Sequence, residues 1–179
     1  MGQRKLPKSP RLYSWLRCAG KPALEGLLEH AEHPVEVVLD TNVLLDWLLF
    51  EDPSAAGLAA ALQAGRVQWV ATQAMLDELS HVQQKAALQA RLQRVDTIAQ
   101  AVARWCRVVE APPPLPPPWL ICTDADDQKF IDLALARRTP WLLSRDKALL
   151  ALARRARPRG VVVCRPAAWS PATVADVRT

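Results

Sequence analysis

The stretch Val35-Glu36-Val37-Val38-Leu39-Asp40-Thr41-Asn42-Val43-Leu44-Leu45-Asp46-Trp47-Leu48-Leu49 decides how the chain is read. It begins as an apolar, largely β-branched run of strand length and then meets Asp40. That carboxylate stands where a buried strand should give way to a turn. Beyond it, Val43, Leu44, Trp47 and Leu48 recur with the spacing of one helix face. An ionisable side chain therefore lies between a core strand and a core helix. In open parallel sheets ligands bind at the carboxyl ends of the strands, which is where such a residue falls. The reading of the chain turns on whether other carboxylates arrive at the same place.

The 179 residues suit one domain with an appendage. Half of them (50%) are hydrophobic, enough for a core and too many for a disordered chain. No apolar run approaches the ~18–20 residues of a membrane span, and no uninterrupted apolar segment follows the basic N-terminus as a secretory signal requires. Cys18, Cys106, Cys122 and Cys164 form no close pairs, and read as reduced thiols of a cytoplasmic protein. The formal net charge is +5. Residues 1–22 carry Arg4, Lys5, Lys8, Arg11, Arg17 and Lys21 without an acid, and residues 137–165 carry nine Arg and Lys side chains against the single Asp146. Two basic regions thus flank an acid-bearing middle. Contact with phosphates would explain this, as lysine and arginine supply the sequence-independent part of nucleic-acid affinity; so would a solvated surface in an arginine-rich protein.

Taken in order, residues 1–34 read as a basic N-terminal extension. His30 and His33 lack the further ligands that a zinc site would need. From Val35 strands and helices alternate. Strands are expected at Val35–Leu39, Val67–Ala71, Arg107–Glu110, Trp141–Ser144 and Gly160–Cys164. Helices are expected at Val43–Phe50, Ala55–Ala64, Gln73–Trp105 with an interruption near Ala90–Val95, from about Cys122 to Arg138, and over Lys147–Arg155. Pro112–Pro118 lies in an extended, stiff connector, since proline forms neither helix nor ladder bonds. The alternation argues for a parallel α/β sheet covered on both faces, with residues 35–170 as the domain and 171–179 as a C-terminal tail.

The acids now acquire positions. Asp40 ends the first strand. Glu78 lies in the first turns of the helix after the second, with Asp77 beside it and not distinguishable by charge. Asp124 and Asp127 are three apart after the proline connector, and Asp146 lies two residues beyond the fourth strand. Each falls in a β-to-α transition, and in a doubly wound sheet all such transitions share one edge. Like charges a few ångströms apart raise one another's pKa and cost stability; a hard divalent cation relieves that cost, and oxygen-rich sites suit Mg²⁺ or Mn²⁺. Taken singly, Asp124, Asp126 or Asp127 could instead cap a helix, Asp146 could be a turn residue and Glu78 a plain helix acid. Asp40 interrupts an apolar run and is harder to dismiss.

Four blocks carry a family resemblance: Val37-Val38-Leu39-Asp40-Thr41-Asn42-Val43-Leu44-Leu45; the acid in Leu76-Asp77-Glu78-Leu79; Asp124-Ala125-Asp126-Asp127-Gln128-Lys129-Phe130-Ile131-Asp132-Leu133-Ala134; and Leu142-Leu143-Ser144-Arg145-Asp146-Lys147-Ala148-Leu149. In this order they resemble a PIN domain over about residues 35–168, and are similar to its VapC-type toxin branch. The resemblance implies a three-layer α/β/α sandwich around a mostly parallel five-stranded sheet. It also implies Mg²⁺- or Mn²⁺-dependent cleavage of RNA by an endoribonuclease, an antitoxin protein as partner, and a homodimer. Carried over block by block, the catalytic acids fall on Asp40, Glu78, Asp127 and Asp146. The metal ligands fall on Asp40, Asp124, Asp127 and Asp146, and supporting polar side chains on Asn42 and Ser144. The extension and the Pro112–Pro118 loop depart from the family pattern.

Two rivals remain. A haloacid-dehalogenase-type phosphatase would want a second Asp two residues after the first, where Asn42 stands. A PIN module that only binds RNA or a protein partner is the non-enzymatic alternative, and the presence of every acid argues against it. A nucleotide-binding domain would need a glycine-rich turn after the first strand, and none is there. Among the tryptophans, Trp47, Trp69 and Trp141 read as core, while Trp15, Trp119 and Trp169 read as surface. Glu36 and Asp46 read as surface acids without a role.

Overall fold

The computed structural model of the chain describes residues 34–83, 95–115 and 120–170. Five strands form a single sheet: β1 (Val35–Leu39), β2 (Val67–Thr72), β3 (Cys106–Val109), β4 (Trp141–Leu143) and β5 (Val162–Cys164). Their order is β3-β2-β1-β4-β5, with every neighbouring pair parallel. The helices are α1 (Thr41–Leu48), α2 (Ala56–Gln63), α3 (Gln73–Gln83), α4 (Val95–Trp105), α5 (Gln128–Arg137), α6 (Lys147–Ala151) and α7 (Ala153–Ala156).

The apolar runs explain the layering. Val37, Val38 and Leu39 are buried in succession, as are Trp69 to Thr72 and Trp141 to Leu143. Successive side chains of a strand point to opposite faces, so unbroken burial requires cover on both sides. α5 packs on β1 and β4, and α1 packs with α3 and α4. The result is the expected α/β/α sandwich. Chain order reverses between β1 and β4, so the carboxyl ends of these two strands form the switch point at which such sheets open a crevice.

Local chemistry shifts several boundaries. α1 begins at Thr41, because the Asp40 side chain caps it. The helix expected from Ala55 is a 3-10 turn, Pro53–Ala55, capped by Asp52, followed by α2. Gly65 then turns the chain with φ 67°, a conformation that favours glycine. The helical stretch expected over Gln73–Trp105 holds α3 and α4, and residues 84–94 between them, where most of the interruption was expected, lie outside the described ones. No helix opens at Cys122; α5 starts only at Gln128. The helix expected over Lys147–Arg155 breaks at Leu152 into α6 and α7.

Expectations about the surface and the core are overturned at four residues. Trp169 is buried, its ring edge-on to Trp141 at 6.4 Å. Trp47 is half-buried rather than core, and stacks at a tilt on Trp105 at 5.2 Å. Glu36 and Asp46 are ion-paired: Glu36 accepts from Arg107 and, at 2.6 Å, from Arg137, while Asp46 accepts from Arg145 at 2.6 Å. Trp15, Trp119 and Cys18, like the basic extension, lie outside the described residues. Cys106, Cys122 and Cys164 are free thiols, and burial pushes Cys106 up to about 12 and Cys164 to about 11. No described helix is long and apolar enough to cross a membrane.

Candidate functional site

Strand register builds the centre of the site. Leu39 pairs with Leu143 and Leu143 with Cys164. One step further, the Asp40 N–H donates to the Leu143 carbonyl at 3.0 Å and the Ser144 N–H to the Cys164 carbonyl at 3.0 Å. Asp40 and Ser144 therefore leave the sheet side by side. Ser144 Oγ donates to Asp40 Oδ2 at 2.7 Å and accepts from the Asp146 N–H at 2.9 Å. A single hydroxyl, itself fully buried, thus ties the β1–α1 crossover to the β4–α6 crossover.

Asp40 is only 1% exposed. Its Oδ1 accepts from the Asn42 N–H at 3.4 Å, which caps α1. Burial raises its pKa above the ordinary carboxylate value. Hydrogen bonds from Ser144 and from the backbone and side chain of Asn42 oppose the rise, and the charge of Glu78 adds to it. Asp146 plays the matching part at α6, with Oδ1 accepting from the Ala148 N–H at 2.6 Å.

Asp127 arrives from the third crossover. It precedes α5 in a helical backbone conformation, yet its side chain makes no capping bond. The bland reading of this acid as a helix cap therefore does not hold. Burial, then the charges of Asp40, Asp146 and Asp124, and hydrogen bonding to Asp146, push its carboxyl up to about 7. Gln128 fixes the turn that presents it. Its Oε1 accepts from the Cys122 N–H at 2.7 Å, and its Nε2 donates to the Leu120 carbonyl and to Asp132 Oδ1, each at 2.8 Å.

Asp124 stands at the rim, exposed, with Oδ1 accepting from the Asp126 N–H at 2.9 Å. That bond closes a turn and explains why the helix cannot start here. Asp124 and Asp146 line an open cleft of about 740 Å³ together with Arg145 and Lys147. Asn42 is exposed, and its hydrogen bonds reach Asp40.

Geometry separates Glu78 from Asp77. Asp77 accepts from its own helix, from Gln73 Nε2 at 2.9 Å. Glu78 faces the first crossover: Oε1 accepts from Thr41 Oγ1 at 2.6 Å, and Oε2 lies 2.5 Å from Lys129 Nζ. Sequence reasoning missed both partners. Thr41 could have been suspected from its place next to Asp40, and Lys129 from being the one cation among the acids of residues 124–132.

The sheet edge thus brings together Asp40, Asp127 and Asp146 with Asp124 beside them, while Glu78 is held from the next crossover. Among the described residues, no three such side chains enclose a space that would hold an ion as they stand. The donor set nevertheless suits a hard divalent cation. It consists of carboxylate oxygens alone, and the repulsion that adds to burial in lifting Asp127 is what a cation between them relieves.

A family model described as PIN domain matches residues 36–148. The chain belongs to the PIN-domain family. PIN domains are in general nucleases that bind nucleic acid and use divalent metals, and the matched span holds every crossover described above. No curated protein matches the chain in sequence.

Ser144→Ala tests the support beneath this PIN site. It should cost about 1–3 kcal/mol, because Asp40 loses its strongest hydrogen bond while staying buried and the Asp146 N–H loses its acceptor. Urea unfolding followed by circular dichroism measures this. A change below about 0.5 kcal/mol would show that Ser144 does not hold the crossovers together.

Proposed function

We propose that this PIN domain is a Mg²⁺- or Mn²⁺-dependent endoribonuclease that hydrolyses RNA phosphodiester bonds. The observation that supports it most is the convergence of acids from separate crossovers on Asp127, whose carboxyl is pushed up to about 7 by burial and then by the charges of the others. Asp40, Asp127 and Asp146 would hold the ion, with Asp124 as ligand or rim. When bound, the ion supplies Lewis acidity and neutralises charge that develops on the phosphate.

The chain's own residues do the rest. Asp40 and Asp146 are held rigid by Ser144 and by the amides at the starts of α1 and α6. Glu78, gripped by Thr41 and Lys129, would orient the attacking water. That water displaces one ribose oxygen from phosphorus, so the reaction needs no covalent protein intermediate.

The basic flank is less available than composition suggested. Arg137 is engaged by Glu36, and Arg145 by Asp46 and by Asp52 at 3.1 Å. Arg154, Arg155 and Arg157 are exposed, but they precede β5 and so lie toward the amino edge of the sheet, away from the acids. Lys147 in the cleft is better placed for a phosphate of bound RNA.

The full-length protein, without a partner, should cleave RNA in Mn²⁺ and not in EDTA. RNA binding without cleavage at any Mn²⁺ concentration would favour the alternative, a PIN module that only binds RNA or a protein. Resemblance to the VapC-type branch extends the reading to a cytoplasmic toxin with an antitoxin partner, and to a homodimer. Expression in a bacterial host should then arrest growth, and arrest should be relieved by the protein encoded beside it. Growth unaffected by expression of active enzyme would remove the toxin role and leave the nuclease intact.

A further inference from the structure

The acid-rich edge already contains a cation of its own. Lys129, in the first turn of α5, reaches across to α3 and places Nζ 2.5 Å from Glu78 Oε2. The same ammonium donates to the Asp126 carbonyl, and lies 5.0 Å from the centre of the Phe130 ring. Its side chain is 26% exposed and that of Glu78 28%, so the pair is partly withdrawn from water and screened less than a surface pair. The second Glu78 oxygen is taken by the Thr41 hydroxyl. Both carboxylate oxygens of this acid are therefore engaged by the protein, one of them by a full positive charge.

We infer that the Lys129 ammonium takes the place of a second cation, so that the site loads one divalent ion on the Asp40–Asp127–Asp146 side and Glu78 is kept from acting as a ligand. This rests on the reading of the site as a divalent-metal centre. The charge argument is direct. Two-metal centres place their ions about 3.5–4 Å apart and need acids to hold both. Here a second ion bound through Glu78 would have to evict an ammonium with three partners and leave it among like charges. A lysine is a compact point charge that can stay beside a phosphate throughout a reaction. Lys129 is thus a positioning residue. It fixes Glu78 for its contact with water and contributes a charge that does not depend on metal supply.

Titration calorimetry of the full-length protein with MnCl₂ near neutral pH tests this, and Mn²⁺ electron paramagnetic resonance supplies an independent count. Wild type should bind one ion. Lys129→Met should bind a second, or bind the first about tenfold more tightly, because Glu78 regains a free charge. Lys129→Arg should behave as wild type. Glu78→Gln, which keeps the acceptor for Thr41, should still bind one ion with an affinity within about threefold of wild type. Two ions in wild type, or an unchanged count and affinity in Lys129→Met, overturn the inference while leaving the nuclease reading in place. Should Lys129→Met fail to fold, loss of the ion in Glu78→Gln makes Glu78 a ligand and overturns it equally. No Mn²⁺ bound by wild type would remove the metal centre itself, and the inference with it.

Discussion

Asp40→Asn is expected to reduce RNA cleavage by about 10³-fold or more while leaving the fold intact. The loss follows from charge: the substitution removes the buried anion that faces Asp127, and several kcal/mol of transition-state stabilisation go with it at about 1.4 kcal/mol per decade. Stability responds differently, because two effects oppose each other. Burial disfavours the charged form of Asp40, so a neutral amide is relieved of that cost. Asparagine is also a good N-cap, and α1 keeps its start. Against this, the amide has one acceptor where the carboxylate has two. It can satisfy Ser144 or the Asn42 N–H, but not both. The net change in stability should stay within about 1 kcal/mol. Cleavage assays in Mn²⁺ beside thermal melts distinguish the two readouts. Activity within tenfold of wild type would show that the ion, if bound, does not depend on Asp40. Asp40→Ala would be less informative, since it strips the cap as well and leaves the buried Ser144 hydroxyl without its acceptor.

The parts of the fold legible in the sequence were those set by local pattern. Val37–Leu39, Trp69–Ala71 and Trp141–Leu143 are unbroken apolar runs, and only a strand buried on both faces needs such a run. Asp40 and Asp146 could be placed because each stands one to three residues past a run of this kind. What stayed hidden was set by side chains meeting across the sheet. Nothing local distinguishes Glu78 from Asp77; the choice is made by Thr41, 37 positions away in the chain. Glu36 looked like a solvated acid until Arg107 and Arg137 were brought to it from the strand and helix ends. The late start of α5 is a competition between two local structures. The Asp124 side chain satisfies the Asp126 amide and holds the chain in a turn, so the helix begins only at Gln128.

That late start has a consequence for Asp127. Had the helix opened at Cys122, Asp127 would stand more than a turn inside it, one charge among several on a solvated face. Placed instead just ahead of α5 and free of capping duty, it turns toward Asp40 and Asp146. Its burial and the charges of Asp40, Asp146 and Asp124 act on it together, which is why Asp127 reports on the whole cluster.

Stability in EDTA should therefore fall as pH rises from about 4 to about 7, with Asp127 contributing a part that its own substitution isolates, beside the buried Asp40, which acts in the same direction. The unfolded chain releases this proton near 3.8, whereas the folded protein keeps it until about 7. Between these values the folded state binds more protons, so raising the pH favours unfolding. The contribution is complete below the unfolded pKa and lost as pH passes through the folded one. Without screening, a shift of this size would be worth about 4 kcal/mol. Asp127 is partly open to solvent, and about 1–2 kcal/mol is the realistic figure. Asp127→Asn cancels the term: at pH 8 in EDTA it should be about 1–2 kcal/mol more stable than wild type, and at pH 4 roughly equal to it. Adding Mn²⁺ at pH 8 should reverse the ranking. A cation that binds only the folded state stabilises wild type by about 2.7 kcal/mol at a hundred times its dissociation constant. The variant, with one anion fewer, should gain little. Parallel urea titrations of both proteins, with and without Mn²⁺, measure all of these terms. If the two proteins keep a constant difference from pH 4 to pH 8, Asp127 does not feel its neighbours' charge. If Mn²⁺ stabilises both alike, the ion binds elsewhere.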